Sequence, residues 1–146
     1  MQTTAVTPGQ LADEAMRFFA TVLHGPGAWL QLIADLDLSL TQLKALYRLG
    51  DVEQRSVSEL AGDLHLSMPS ASRALDGLVQ RDLVERRECA DDRRTRRVRL
   101  TPAGRDTLRH VYEVRRGDLE AAMATLSSQE RDALHAGLAP ILERTP

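Results

Sequence analysis

Between Ser67 and Arg73 the chain reads Ser-Met-Pro-Ser-Ala-Ser-Arg, and further on it reads Asp92-Arg93-Arg94. Both sets suit recognition of a nucleic acid. Short hydroxyls such as Ser70 and Ser72 permit close approach to base edges, and Arg73 can span guanine O6 and N7 or take a phosphate. Met68 and Pro69 offer only apolar contacts, for example with a thymine methyl. Ser67, read as a helix N-cap, directs the positive end of the helix dipole outward, where a phosphate is favoured. Arg93 and Arg94 stand at the tip of an arginine-rich hairpin, a position from which a minor groove can be entered. Asp76, one turn beyond Arg73, is expected to orient Arg73 or an arginine of the hairpin.

No catalytic arrangement competes with this chemistry. The sequence has no Gly-rich phosphate loop, no Gly-x-Ser-x-Gly and no His-Glu-x-x-His. His24, His65, His110 and His135 are scattered singly, so no zinc site is expected. One cysteine, Cys89, allows neither an intramolecular disulfide nor a cysteine-based metal site, and it reads as an incidental thiol. The chain is therefore expected to be no enzyme and to need no cofactor.

The formal net charge of −2 argues against a uniformly basic coat. The distribution is uneven: Arg81 to Arg105 holds nine arginines and five acids, a net +4, which leaves −6 for the remainder. A basic segment on an acidic body fits contact with a polyanion through one face. Lys44 is the one lysine among nineteen basic residues, but arginine dominates along the whole chain, so this preference decides nothing. No apolar run reaches the length of a membrane span, and Met1 to Pro8 lacks the pattern of a signal peptide. A cytoplasmic address is the expectation.

At 146 residues the chain suits a single domain. Helix starts stand out through capping boxes, in which a Ser or Thr and a Glu or Gln three residues later satisfy each other's backbone amides. Four are present: Thr7–Gln10, Ser39–Gln42, Ser56–Glu59 and Ser127–Glu130. Ser67 and Thr101 act as caps with proline in the following turn. Six helices are expected, over 8–24, 40–49, 57–64, 68–81, 102–126 and 128–143, with 29–36 either helical or a packed linker. Pro140 should kink or shorten the last. After Leu83 the apolar period changes towards two, at Val84 and Arg86 and then at Val98 and Leu100, which predicts a hairpin with Val98 and Leu100 inward and Arg97 and Arg99 outward. The fifth helix would extend ~37 Å, more than a small lobe needs for its own core. The fold class is thus mainly α with a small β-hairpin wing: a winged helix-turn-helix lobe over 39–101, with dimerisation helices over 7–37 and 102–144.

The chain resembles the MarR family of bacterial transcription regulators. The resemblance is close from Ser39 to Gly104 and rests above all on the wing pattern of aspartate, any residue, arginine, five residues and leucine-threonine. Here that is Asp92-Arg93-Arg94-Thr95-Arg96-Arg97-Val98-Arg99-Leu100-Thr101. Ser39-Leu40-Thr41-Gln42-Leu43 also fits, while Pro69 is unusual for the family's recognition helix. The resemblance implies that Arg94 enters the minor groove beside Arg93, with Asp92 bracing the wing. It implies a homodimer that interleaves the first, fifth and sixth helices. It further implies release from DNA by a small lipophilic or phenolic effector, for which Phe19, Trp29 and Tyr47, with His24 or Arg48, are the candidate residues. Peroxide-sensing relatives use a cysteine near the N-terminus, where this chain has none.

The resulting expectation is a homodimeric, sequence-specific repressor of pseudo-palindromic double-stranded DNA operators. The alternative is a winged-helix protein-interaction module whose basic face meets an acidic partner without specific DNA binding.

Overall fold

The computed structural model describes residues 5–24, 28–88 and 96–144. Among them are seven α-helices and three strands: α1 (Pro8–His24), α2 (Ala28–Leu36), α3 (Leu40–Gly50), β1 (Arg55–Ser56), α4 (Val57–Asp63), α5 (Met68–Gln80), β2 (Val84–Glu88), β3 (Arg96–Leu100), α6 (Pro102–Ala124) and α7 (Ser128–Leu142). All six cap-marked starts are observed. Ser39, Ser56 and Ser127 close reciprocal capping boxes. Thr7 does the same with Gln10, whose side chain accepts from the Thr7 amide at 2.9 Å. The Ser67 hydroxyl accepts from the Ser70 amide, and Thr101 from the Gly104 amide at 2.9 Å.

Three details decide or go beyond the sequence expectation. The ambiguous stretch before Leu36 is a helix, because its amides find a distant acceptor: the Asp118 carboxylate takes the amides of Ala28 and Trp29, each at 3.1 Å. No local residue signals that cap. Strand β1, two residues long, was not anticipated; it pairs with β3 and is too short to leave a period in the sequence. Helix α7 continues to Leu142 with Pro140 inside it. Proline there removes a single backbone bond from the final turn, which the helix tolerates.

Two compact units partition the chain: Leu32–Glu113, and Met1–Gln31 together with Val114–Pro146. The Leu32–Glu113 unit holds the winged lobe. Its sheet is antiparallel in the order β1-β3-β2, so β3 is central. Ala45, Leu46 and Leu49 of α3, Leu60 of α4, Leu75 and Leu78 of α5, and Val84, Val98 and Leu100 of the sheet form one buried core. The inward alternation expected for Val98 and Leu100 is present, and Val84 joins them.

Two tight turns set the direction of α5. At the end of α4 the Leu66 amide bonds the Ala61 carbonyl and the His65 amide bonds that of Gly62, with His65 at φ 53°. At the end of α5 the Leu83 and Asp82 amides bond the carbonyls of Leu78 and Val79, with Asp82 at φ 57°. Both are Schellman closures, which reverse the chain within a few residues and satisfy the last helical carbonyls. Gly104 is placed by contact: a Cβ there would overlap the Leu83 carbonyl oxygen. The start of α6 is held down further by the Thr101 amide, which donates to Leu83 O at 3.1 Å, and by the Thr101 hydroxyl, which donates to Asp82 O.

Candidate nucleic-acid interface

Helix α5 buries Ala71, Leu75 and Leu78 and turns Pro69, Arg73, Asp76 and Gln80 outward, a stripe at the helical repeat. Met68 is exposed as well. Ser70 and Ser72 are half-buried rather than fully outward. They flank Ala71, and one residue is only about 100° of helix rotation, so neighbours of a buried position lie at the edge of the exposed face. The first turn carries a local network: the Ser67 and Ser70 hydroxyls lie 3.0 Å apart, and Arg73 Nη2 donates to Ser70 Oγ at 3.4 Å. Arg73 therefore lies back along the first turn, over the helix N-terminus. A guanidinium and the positive end of the helix dipole together favour an anion there, although Pro69 lacks an N–H and the Ser70 amide is taken by Ser67.

Asp76 pairs with Arg86 of β2 at 2.7 Å, so of its two expected partners it takes the hairpin arginine. Other arginines of the basic segment are also committed. Arg81 donates to Leu36 O at 2.7 Å and to the Asp37 carboxylate at 2.9 Å, holding the residue after α2, which stands at φ 47°. Glu85 accepts from Arg99 and from Arg87, and Arg105 donates to Leu100 O at 2.9 Å. Five of the nine arginines that made the segment basic therefore bond within the lobe. The Arg99 hydrogen bond, first among several causes, holds the Glu85 carboxyl below its ordinary value of 4.5. At the start of α4, the Ser56 amide and hydroxyl do the same for Glu59, with smaller contributions from Arg97 and Arg55.

Asp92, Arg93 and Arg94, and Cys89 with them, lie outside the described residues. The strands that lead to the tip are described, and β2 and β3 pair from Val84↔Leu100 to Glu88↔Arg96. The expected effector residues divide between the units. Trp29 is half-buried with Arg115 stacked 5.0 Å from its ring centre, and Phe19 is exposed beside Phe18; both belong to the terminal unit. Tyr47 and Arg48 lie on α3 in the lobe and are exposed, while the His24 side chain lies outside the description. One cavity of the lobe, about 160 Å³, is lined by Leu49, Gly50, Val52, Glu53, Arg99, Leu100 and Arg105, none of them an expected effector residue. Sequence reasoning foresaw a hairpin arginine for Asp76 but missed the structural use of Arg81 and Arg99. Their partners are distant in sequence or on another strand, so no local pattern reports them.

The sequence model of the MarR family matches residues 38–95, the helix-turn-helix and the first part of the wing. The chain is 32% identical over 109 residues to the HTH-type transcriptional regulator YfiV of Bacillus subtilis, covering 75% of this chain and 68% of YfiV. This chain belongs to the MarR family. It is also 35% identical over 106 residues to the transcriptional repressor MprA of Escherichia coli, covering 71% of this chain and 60% of MprA. The fold agrees with solved structures. RV1404 of Mycobacterium tuberculosis superposes with a TM-score of 0.84 at 23% identity, over 99% of this chain and 98% of that one. A MepR variant of Staphylococcus aureus bound to an oligodeoxyribonucleotide gives 0.70 at 20% identity, over 95% and 98%. As a MarR-family member the chain is a DNA-binding transcription regulator and not an enzyme. Among the described residues no helix is long and apolar enough to cross a membrane.

Proposed function

We propose that this MarR-family regulator is a homodimeric repressor that reads a pseudo-palindromic operator with Ser67, Met68, Pro69, Ser70, Ser72 and Arg73 in the major groove. Arg93 and Arg94, braced by Asp92, enter the minor groove alongside. The observation that carries this reading is the exposed start of α5, where Pro69 and Arg73 face outward from a capped helix N-terminus in the lobe that carries the wing. Related names point the same way: MprA is a repressor, and the MepR variant was solved on an oligodeoxyribonucleotide. Dimerisation is supported by apolar side chains that the terminal helices leave in water, among them Leu11, Met16, Phe19, Leu134, Leu138 and Ile141. Surface of that kind marks an association face. In a dimer the two recognition helices stand about one DNA turn, roughly 34 Å, apart.

Selection from a random duplex pool tests the reading. A recovered inverted repeat, bound with a steep salt dependence, supports it. Recovery of no preferred sequence at moderate salt overturns it. Release by a small lipophilic or phenolic effector belongs to the same proposal, with Phe19, His24, Trp29, Tyr47 and Arg48 as its residues. Trp29 is the chain's one tryptophan, so its emission reports binding directly. A phenolic compound that frees the operator should also quench Trp29.

A further inference from the structure

One row of the sheet ties the wing to both helices of the helix-turn-helix. Arg55 of β1 and Arg86 of β2 are each register partners of Val98 on the central strand. Residues directly opposite one another share a sheet face, so the three side chains lie side by side on one face. Val98 is fully buried in the core. Its two neighbours are arginines, and each takes a carboxylate from a different helix. Arg55 pairs with Asp63, the last residue of α4, and Arg86 pairs with Asp76 in the third turn of α5 at 2.7 Å. The arginine side chains are only 28% and 29% exposed, and the Nε of each is buried with no hydrogen-bond partner. A phosphate contact needs donors turned to solvent. Each of these two guanidinium groups instead gives a terminal nitrogen to a carboxylate of the lobe and keeps its Nε buried.

The division of labour follows from the physics of the two contact types. Burial of Val84, Val98 and Leu100 holds the sheet against the helices, but apolar contact is non-directional and sets the sheet's angle about Val98 less sharply than a directional bond does. Charge-assisted N–H···O bonds are directional. Placed one strand to either side of Val98, roughly 10 Å apart across the row, they oppose rotation of the sheet about Val98. Strand β2 runs two residues beyond Arg86 to Glu88, ~7 Å along the strand, so a small rotation at the row becomes a larger displacement at the strand end that leads into the wing tip.

We propose that Arg55 and Arg86 are positioning residues rather than phosphate contacts. With Asp63 and Asp76 they fix the angle of the wing, so that recognition helix and wing tip meet their two grooves together. This rests on the reading that the wing enters the minor groove, and the experiment separates the two. The full-length variant Arg55→Met/Arg86→Met keeps the aliphatic stems and removes both forks; Asp76→Asn, which keeps size and removes charge, guards against a folding defect in the double variant. In the DNA-free protein, nitroxides on Cys89 and on Gln80→Cys of α5, with labelled chain diluted into unlabelled, give the wing-to-helix distance distribution by pulsed EPR. It should broaden in both variants while the thermal transition stays cooperative. On the selected operator, replacing A·T pairs beneath the wing by G·C should weaken the unmodified protein about tenfold and the variants less than about twofold. A base change beneath α5 should weaken all of them alike. An unchanged distance distribution, or a loss of stability alone, overturns the proposal. A broadened distribution with no flank effect in the unmodified protein upholds the clamp and overturns the minor-groove reading instead.

Discussion

On the proposed reading Arg73 is the residue through which α5 discriminates bases, because it is exposed and, among the described residues, its guanidinium is steered by the weak 3.4 Å contact to Ser70. Arg73→Ala should cost ~1–3 kcal/mol of operator affinity and relax preference at one base pair if it grips guanine. A uniform loss across sequences, measured by titration of operator variants, would reassign it to phosphate. Arg94→Ala should weaken all duplexes, most at A·T-rich flanks, because a minor-groove arginine reads shape and charge; unchanged affinity would remove it from the interface. Gly104 is constrained by its contact with the Leu83 carbonyl, so Gly104→Ala should destabilise the lobe by about 1–3 kcal/mol, read from the urea midpoint. Glu130 accepts the Ser127 amide and hydroxyl, which hold its carboxyl below the ordinary 4.5. A lowered folded pKa stabilises the native state above the unfolded value, and that share is lost as pH falls through the folded pKa. Stability should therefore be level in this respect down to about 4.5 and decline below it, and Glu130→Gln, which keeps the capping acceptor, should flatten the decline in a pH series of urea unfolding.

At the scale of elements, the recognition helix is defined at both ends by bonds that local sequence specifies. Ser67 caps it, and Schellman closures precede and follow it. These explain why its start was read correctly from the sequence. His65 occupies the left-handed position of the first closure at φ 53°, where a side chain is strained and glycine is not. His65→Gly should accordingly raise the stability of the lobe by up to about 1 kcal/mol, visible as a higher thermal midpoint; a fall would show that the imidazole contributes a contact of its own. Elements without such local marks were harder to read. The amides at the start of α2 are satisfied by Asp118, ninety residues along from Ala28, and β1 exists only because β3 offers it an edge.

For the whole molecule, the terminal helices leave Leu134, Leu138 and Ile141 exposed, and this apolar surface argues for a second copy. Leu134→Glu/Leu138→Glu should shift sedimentation towards monomer and abolish binding to a two-half-site operator while a single half-site is still bound weakly. A dimer that persists would move the interface elsewhere. The sequence by itself determined the helix starts, the helix-turn-helix and the wing pattern, because caps, closures and alternation are decided by residues within a turn of one another. It also determined the family, through the spacing from Asp92 to Thr101. Only the tertiary structure decided which charges are spent internally. Arg81, Arg86, Arg87, Arg99 and Arg105 count towards a basic segment in the sequence, yet each bonds within the lobe, most to partners on other elements. Charge is additive along a chain, but a guanidinium's availability to DNA depends on which carboxylate the fold sets beside it.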